Sequence, residues 1–232
     1  MANLALYDGR FREAVQILEK GAAVDLAAKK ADAAADKFAM ISFAQLSRGD
    51  KSSASAAADK ALANSHSVKI QFLAARTFVE AGETAKARKL AATLASELGA
   101  EPQAYAKLVL GEVALKGHDA KSAIQLFSGA NDLLDTWIGR FDLGRAYLDA
   151  GAFAEADSEF DRCNRRRGEA VELFMDDMPT YSYFPIVYYY EGRVREGLKS
   201  PGFKDFYHIY LDIRGKSSED PLLAEIHRQL GQ

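Results

Sequence analysis

Cysteine is nearly absent: Cys163 stands alone, which rules out an internal disulfide and fits a reducing compartment. Proline is scarce, with five in 232 residues and none before Pro102, so no ring interrupts a helix in the first part of the chain. The four histidines (His66, His118, His208 and His227) lack the spacing of a metal-binding helix or finger. No phosphate-cradling glycine loop and no GxSxG nucleophile turn occurs. No apolar run reaches the ~20 residues that span a bilayer. The start, Met1 to Leu4, has no basic segment leading into an apolar one, so no signal peptide is visible and the cytoplasm is the expected location. The net charge of −3 gives no overall pull toward nucleic acid or an anionic membrane. No cofactor, metal or catalytic residue is therefore expected, and the protein reads as a non-enzyme.

What the chain does contain is alanine mixed with Leu, Lys, Glu and Arg, at 48% hydrophobic and 27% charged residues. These residues lose little entropy in a helix, and the apolar content is ample for a folded core. A phrase also repeats. Glycine is followed by a charged or small pair, an alanine, and a bulky or small apolar residue four positions later. It appears as Gly9, Ala14 and Leu18; Gly49, Ala54 and Ala58; and Gly82, Ala87 and Ala91. In the next copy, Ala123 and Phe127, the glycine is shifted to Gly117. The fullest copy is Gly151, Phe153, Ala156 and Phe160. The alanines lie 40, 33, 36 and 33 residues apart, a period of one helical hairpin per unit. Glycine suits the left-handed end of the first helix, and alanine suits the close crossing of the second. The 40-residue step predicts an extended second helix through Lys29, Lys30 and Asp32.

Upstream of Gly151, the run Leu143, Gly144 and Tyr147 completes a pattern that resembles the tetratricopeptide repeat signature, with Cys163 at its small closing position. The resemblance covers residues 1–165 best. It implies an all-α, right-handed superhelical solenoid of antiparallel hairpins, with about five repeats in 1–167. An irregular sixth hairpin and a C-terminal capping helix follow in 168–232, continuous with the solenoid. In the sixth unit Gly192 is the small inner residue, Glu191 replaces the usual leucine, and Phe206 and Tyr210 fill the second helix. Asp220 and Pro221 open a final helix with Leu222, Leu223, Ile226 and Leu230 on one side. Glu172, Asp176 and Asp177 form an acidic cluster in a connection, and an aromatic block runs from Tyr181 to Tyr190. Arg165, Arg166 and Arg167 fit a helix C-terminus, where cations are favoured.

The family resemblance implies a scaffold that binds a peptide or protein segment in its concave groove, lined by the first helix of each hairpin. Repeat phase places Phe43, Lys69, Phe72, Arg76, Glu80, Tyr105, Leu108, Glu112, Lys116, Phe141, Asp142, Arg145, Tyr189 and Arg193 there. Arg76, Glu112 and Arg145 stand where chaperone-binding members carry asparagine, so a chaperone-tail adaptor is disfavoured. Reversing these three charges is expected to abolish binding while sparing helix content and melting temperature. The C-terminal part is also similar to the repeat-bearing tails of bacterial serine/threonine kinases and winged-helix regulators. That likeness implies an alternative role as the regulatory tail of a larger signalling protein, acting on a neighbouring domain or by self-association. Leu4, Leu6 and Tyr7 are expected at an end with no covering neighbour, which suits a fragment of a longer chain or a homodimer formed there.

Overall fold

The computed structural model describes residues 1–170 and 184–231. They form α1 (Ala2–Tyr7), α2 (Phe11–Ala27), α3 (Ala31–Ser47), α4 (Lys51–Asn64), α5 (Val68–Ala81) and α6 (Thr84–Ser96). Then come α7 (Ala100–Lys116), α8 (Ala120–Leu133), α9 (Trp137–Asp149), α10 (Phe153–Arg165), α11 (Ile186–Gly197), α12 (Phe203–Arg214) and α13 (Leu222–Leu230). Consecutive helices pair as antiparallel hairpins, and the first helices α3, α5, α7, α9 and α11 also touch one another in series. This adjacency makes them one wall of an all-α, tetratricopeptide-like solenoid. The acidic cluster Glu172, Asp176 and Asp177 and the tyrosines Tyr181 and Tyr183 lie outside the described residues.

Each hairpin is closed by a lock that the repeat encodes. The anchoring alanines Ala14, Ala54, Ala87, Ala123 and Ala156 are all fully buried. In the fourth and fifth hairpins a glycine in the first helix also receives an aromatic ring from the second. A Cβ added at Gly111 would lie 2.4 Å from the Phe127 ring, and one at Gly144 would lie 2.9 Å from Phe160. The irregular sixth hairpin uses the same device, since a Cβ added at Gly192 would lie 2.4 Å from the Tyr207 ring. It is Tyr207, not Phe206, that fills this gap, because the α11–α12 turn shifts the register by one residue. Burying such a ring is worth ~2–3 kcal/mol, so the locks are principal sources of stability. Side-chain caps start several helices: Asp50 accepts from the Ser53 amide at 3.0 Å, Asp119 from Ser122 at 3.0 Å and Thr136 from Gly139 at 3.1 Å.

Three sequence expectations are corrected. The extended helix through Lys29, Lys30 and Asp32 is broken, since α2 ends at Ala27, Lys29 takes φ +60° and α3 begins at Ala31. Two long helices of 17 residues each, α2 and α3, account for the 40-residue step instead. In the α7–α8 turn Gly117 has φ −84°, and the left-handed residue is His118 at φ +60°. Finally, α1 does have a neighbour. Leu6 is completely buried, and the α12–α13 connection packs on the α1–α2 turn, while Leu4 remains 57% exposed. The solenoid thus curves until its last unit meets its first.

Cys163 sits at the closing position of the fifth hairpin, fully buried. The Trp137 indole donates to the Cys163 carbonyl at 3.0 Å. Burial, with Glu159 nearby, pushes the thiol well above its ordinary value. A thiol so placed is a packing residue rather than a nucleophile.

Candidate functional site

The inner wall carries charges that repeat with the hairpin period. Arg76 on α5, Glu112 on α7 and Arg145 on α9 occupy equivalent positions, with Asp142 one turn before Arg145. Equivalent positions on packed helices face each other, so the alternating signs become ion pairs. Arg76 forks onto both oxygens of Asp142, one of them at 3.0 Å, and lies 3.2 Å from Glu112. Arg145 pairs with Glu112 and reaches Asp142 at 3.2 Å. Toward the rim, Glu80 lies 2.7 Å from Lys116 and 3.8 Å from Arg145.

These groups are not solvated. Asp142 is 0% exposed and Glu112 is 3% exposed. Burial works to raise both carboxyls. At Asp142 the guanidiniums of Arg76 and Arg145 overcome it and hold the group below its ordinary range. At Glu112 burial wins despite Arg145 and Arg76, and the neighbouring Asp142 adds to the rise. The two carboxyls, in hydrogen-bonding contact, are thus pushed in opposite directions, the usual outcome when like charges share a site. Ring faces complete the packing: Arg76 lies 5.5 Å from the Phe72 centroid, and Arg145 lies 5.8 Å from both Phe141 and Tyr190.

Beside this network opens a cavity of about 350 Å³. Its apolar lining is Phe43 and Leu46 from α3, Leu73 from α5, Phe141 from α9, Ile186 and Tyr190 from α11, and Leu222 from α13. Lys51, Arg76, Arg145 and Arg214 also border it, as do Glu80 and Asp220. With Glu112 and Asp142 directly behind, four basic groups face four carboxyl groups. The charges compensate one another, and the apolar side chains are left to define what the cavity accepts.

Besides Glu112 and Asp142, buried in the network, the expected groove residues separate into three groups. Phe43, Arg76, Glu80, Phe141 and Arg145 come together at the cavity. Phe72, Tyr105 and Leu108 do not face open space; they are buried between α5 and α7, with Phe72 stacked on Tyr105 at 4.4 Å. This placement corrects the repeat-phase expectation. Neighbouring first helices pack so closely that these positions fill the seam between them.

The remaining residues lie toward the periphery. Lys69 pairs with Asp36 at 3.0 Å, and Lys116 pairs with Glu80. Tyr189 is buried and donates to Glu225 at 2.9 Å; Arg193 donates to the Tyr189 oxygen at 3.0 Å and lies 3.2 Å from Glu225. Burial, modulated by Arg193 and Glu225, lifts the Tyr189 hydroxyl to about 12. Reversing Arg76, Glu112 and Arg145 would keep the 76–112 and 112–145 pairs opposite in sign but set two carboxylates against the buried Asp142, so stability would not be spared as the sequence suggested.

Sequence reasoning missed Leu46, Leu73, Ile186, Tyr190, Arg214 and Leu222. Repeat phase could have supplied Leu73, which lies one helical turn before Arg76. The α12–α13 residues reach the cavity only because the superhelix closes, and no local pattern announces that. Arg165 and Arg166 are engaged, Arg165 with Asp161 and Arg166 with Asp135 at 2.7 Å and Glu169 at 2.6 Å. Among the described residues, no group of three or more His, Cys, Asp or Glu is placed to hold a metal ion. Nor is any described helix long and apolar enough to cross a membrane.

No protein-family model matches the chain, and no curated protein sequence matches it. Among solved structures, the chain is similar to the C-terminal part of a TPR repeat-containing protein from Cytophaga hutchinsonii. The identity is 14% and the TM-score 0.40, over 91% of this chain and 77% of that one.

Proposed function

We propose that the protein is a protein-interaction scaffold whose inner wall holds a short segment of a partner polypeptide through one bulky apolar anchor. The observation that supports this reading is the cavity beside the Arg76–Asp142 network. Its volume of about 350 Å³ lies at the lower end of ligand pockets and is walled by aliphatic and aromatic side chains from five helices. A complete α-helix with side chains is ~10–12 Å across and needs a wider groove. A single Leu, Phe or Trp side chain, carried on an extended segment, fits the dimensions. The compensated charges around the cavity fix orientation and exclude mismatched partners more than they add affinity.

A displayed library of random peptides tests the reading. Peptides enriched on the wild type should share a bulky apolar residue and lose binding to a Phe43→Glu/Leu46→Glu variant of unchanged helix content. Both substituted side chains are half-buried cavity residues outside the ion-pair network. Enrichment of sequences without such an anchor, or equal binding by the variant, would remove the inner wall as the binding surface.

A further inference from the structure

We propose that residues 215–221, between α12 and α13, form an intramolecular strap that ties the last unit of the solenoid to the first and restricts access to the inner wall. Three groups on or beside the segment make the tie, and a fourth shapes it. Arg214 is 4% exposed and donates through Nε to the Tyr7 carbonyl at 3.0 Å and through Nη2 to the Leu6 carbonyl at 3.2 Å. These carbonyls end α1, where the Leu6 carbonyl also accepts from the Gly9 amide at 3.3 Å and where a cation is favoured. Ser217 donates to the Gly9 carbonyl at 2.6 Å. Glu219 accepts from the Arg12 amide at 3.1 Å and pairs with Arg48 at 3.0 Å. Asp220 holds the segment in shape, accepting from Tyr210 at 2.6 Å and from the Leu222 amide at 3.0 Å.

The chemistry of this joint differs from that of every hairpin interface. Hairpins are locked by buried rings and alanines, whereas the strap holds by hydrogen bonds and ion pairs, with the Arg214 guanidinium over Phe11 at 5.4 Å as its main packing contact. Ser217 and Glu219 are only half-buried, and polar contacts of that kind exchange with water, so this joint opens while the hairpins stay folded. Its location gives opening a consequence, since Arg214, Asp220, Pro221 and Leu222 border the cavity across from Phe43, Leu46 and Leu73. Releasing the strap removes one side of the rim and widens the half-open cavity into an open groove. The consequence for binding rests on the scaffold reading above; the closure itself does not.

The test requires no partner. Ser47 lines the cavity, and Cys163 is fully buried, so a Ser47→Cys protein offers one reactive thiol on the inner wall. Labelling by a bulky polyethylene-glycol maleimide then reports the open population. Adding Ser217→Ala and Glu219→Arg should speed labelling about tenfold, the change in open population expected for losing two such contacts, with helix content unchanged. Ser217→Ala alone, the milder change, should give an intermediate rate, which keeps the test valid if the double replacement unfolds. A Lys89→Glu control on an exposed outer position should leave the rate unaltered. Equal rates with and without the strap replacements would overturn the proposal. So would a Ser47→Cys protein with an intact strap that labels as fast as an unprotected thiol, or light scattering showing that the strap contacts join two copies. Failure of peptide binding with a strap-dependent rate would instead refute the scaffold reading alone.

Discussion

Glu191 stands where the repeat pattern expects leucine, and it allows a prediction with a defined sign and size. It is buried in the α10–α11 interface, its Oε1 accepts from the Asn164 amide, and its Oε2 has no hydrogen-bond partner. Burial raises its carboxyl from an ordinary value of 4.5 to about 7, with Asp157 and Asp161 adding to the rise and Asn164 and Arg195 opposing it. Below the unfolded value both states are protonated and no penalty arises. As pH climbs from about 4.5 to 7, the unfolded chain releases the proton while the folded one retains it, so stability falls. Above 7 the full cost is present: at ~1.4 kcal/mol per pH unit it comes to about 3 kcal/mol.

Glu191→Gln keeps an acceptor for Asn164 and cannot ionise. Urea unfolding of both proteins from pH 4 to 9, followed by circular dichroism, should show them nearly equal at pH 4. The variant should be more stable by about 2–3 kcal/mol at pH 8, with most of the divergence between pH 4.5 and 7. Titrations elsewhere cancel in the difference. Parallel curves across the range would refute the reasoning, because they would mean that Glu191 is solvated or charge-compensated in the folded state.

Asp142→Ala leaves two guanidiniums in the wall with Glu112 and, at the rim, Glu80 for compensation, and a loss of about 3–5 kcal/mol is expected in the same denaturation assay. A change below 1 kcal/mol would show that water reaches the pair. Gly144→Val drives its side chain into the Phe160 ring and should cost about 1–3 kcal/mol or more, partly restored by adding Phe160→Leu. Absence of that coupling in a double-mutant cycle would sink the glycine–ring lock. His118 holds a left-handed backbone that a side chain resists, so His118→Gly should raise stability by about 0.5–1 kcal/mol in thermal melts. A neutral or negative effect would mean that the imidazole makes a compensating contact.

The hairpins were legible in the sequence because their chemistry is local. Gly111 with Phe127 and Gly144 with Phe160 recur at one fixed separation, and a buried alanine follows the turn each time. The charges at Arg76, Glu112 and Arg145 were legible as a periodic set. Their mutual pairing was not, because a residue's type does not say whether it points along the wall or away from it. Phe72, Tyr105 and Leu108 were misplaced for the related reason that a helix face turned toward the groove also borders the next first helix. The contact of Arg214 with Leu6 and Tyr7 had no sequence signal. It depends on small rotations accumulated over six hairpins, each set by which ring fills which gap.

An open helical array unravels from its termini, where the outermost unit has one neighbour instead of two, and its folding draws almost entirely on contacts between adjacent units. Joining Gly9 to Ser217 and Leu6 to Arg214 bridges 207–208 positions of chain. It gives α1, a helix of only six residues that packs on α2, a second partner. Fraying at one end then requires a break at the other. The molecule should unfold more sharply than an open array of the same length and should acquire its last contacts slowly, after the chain between them is in place.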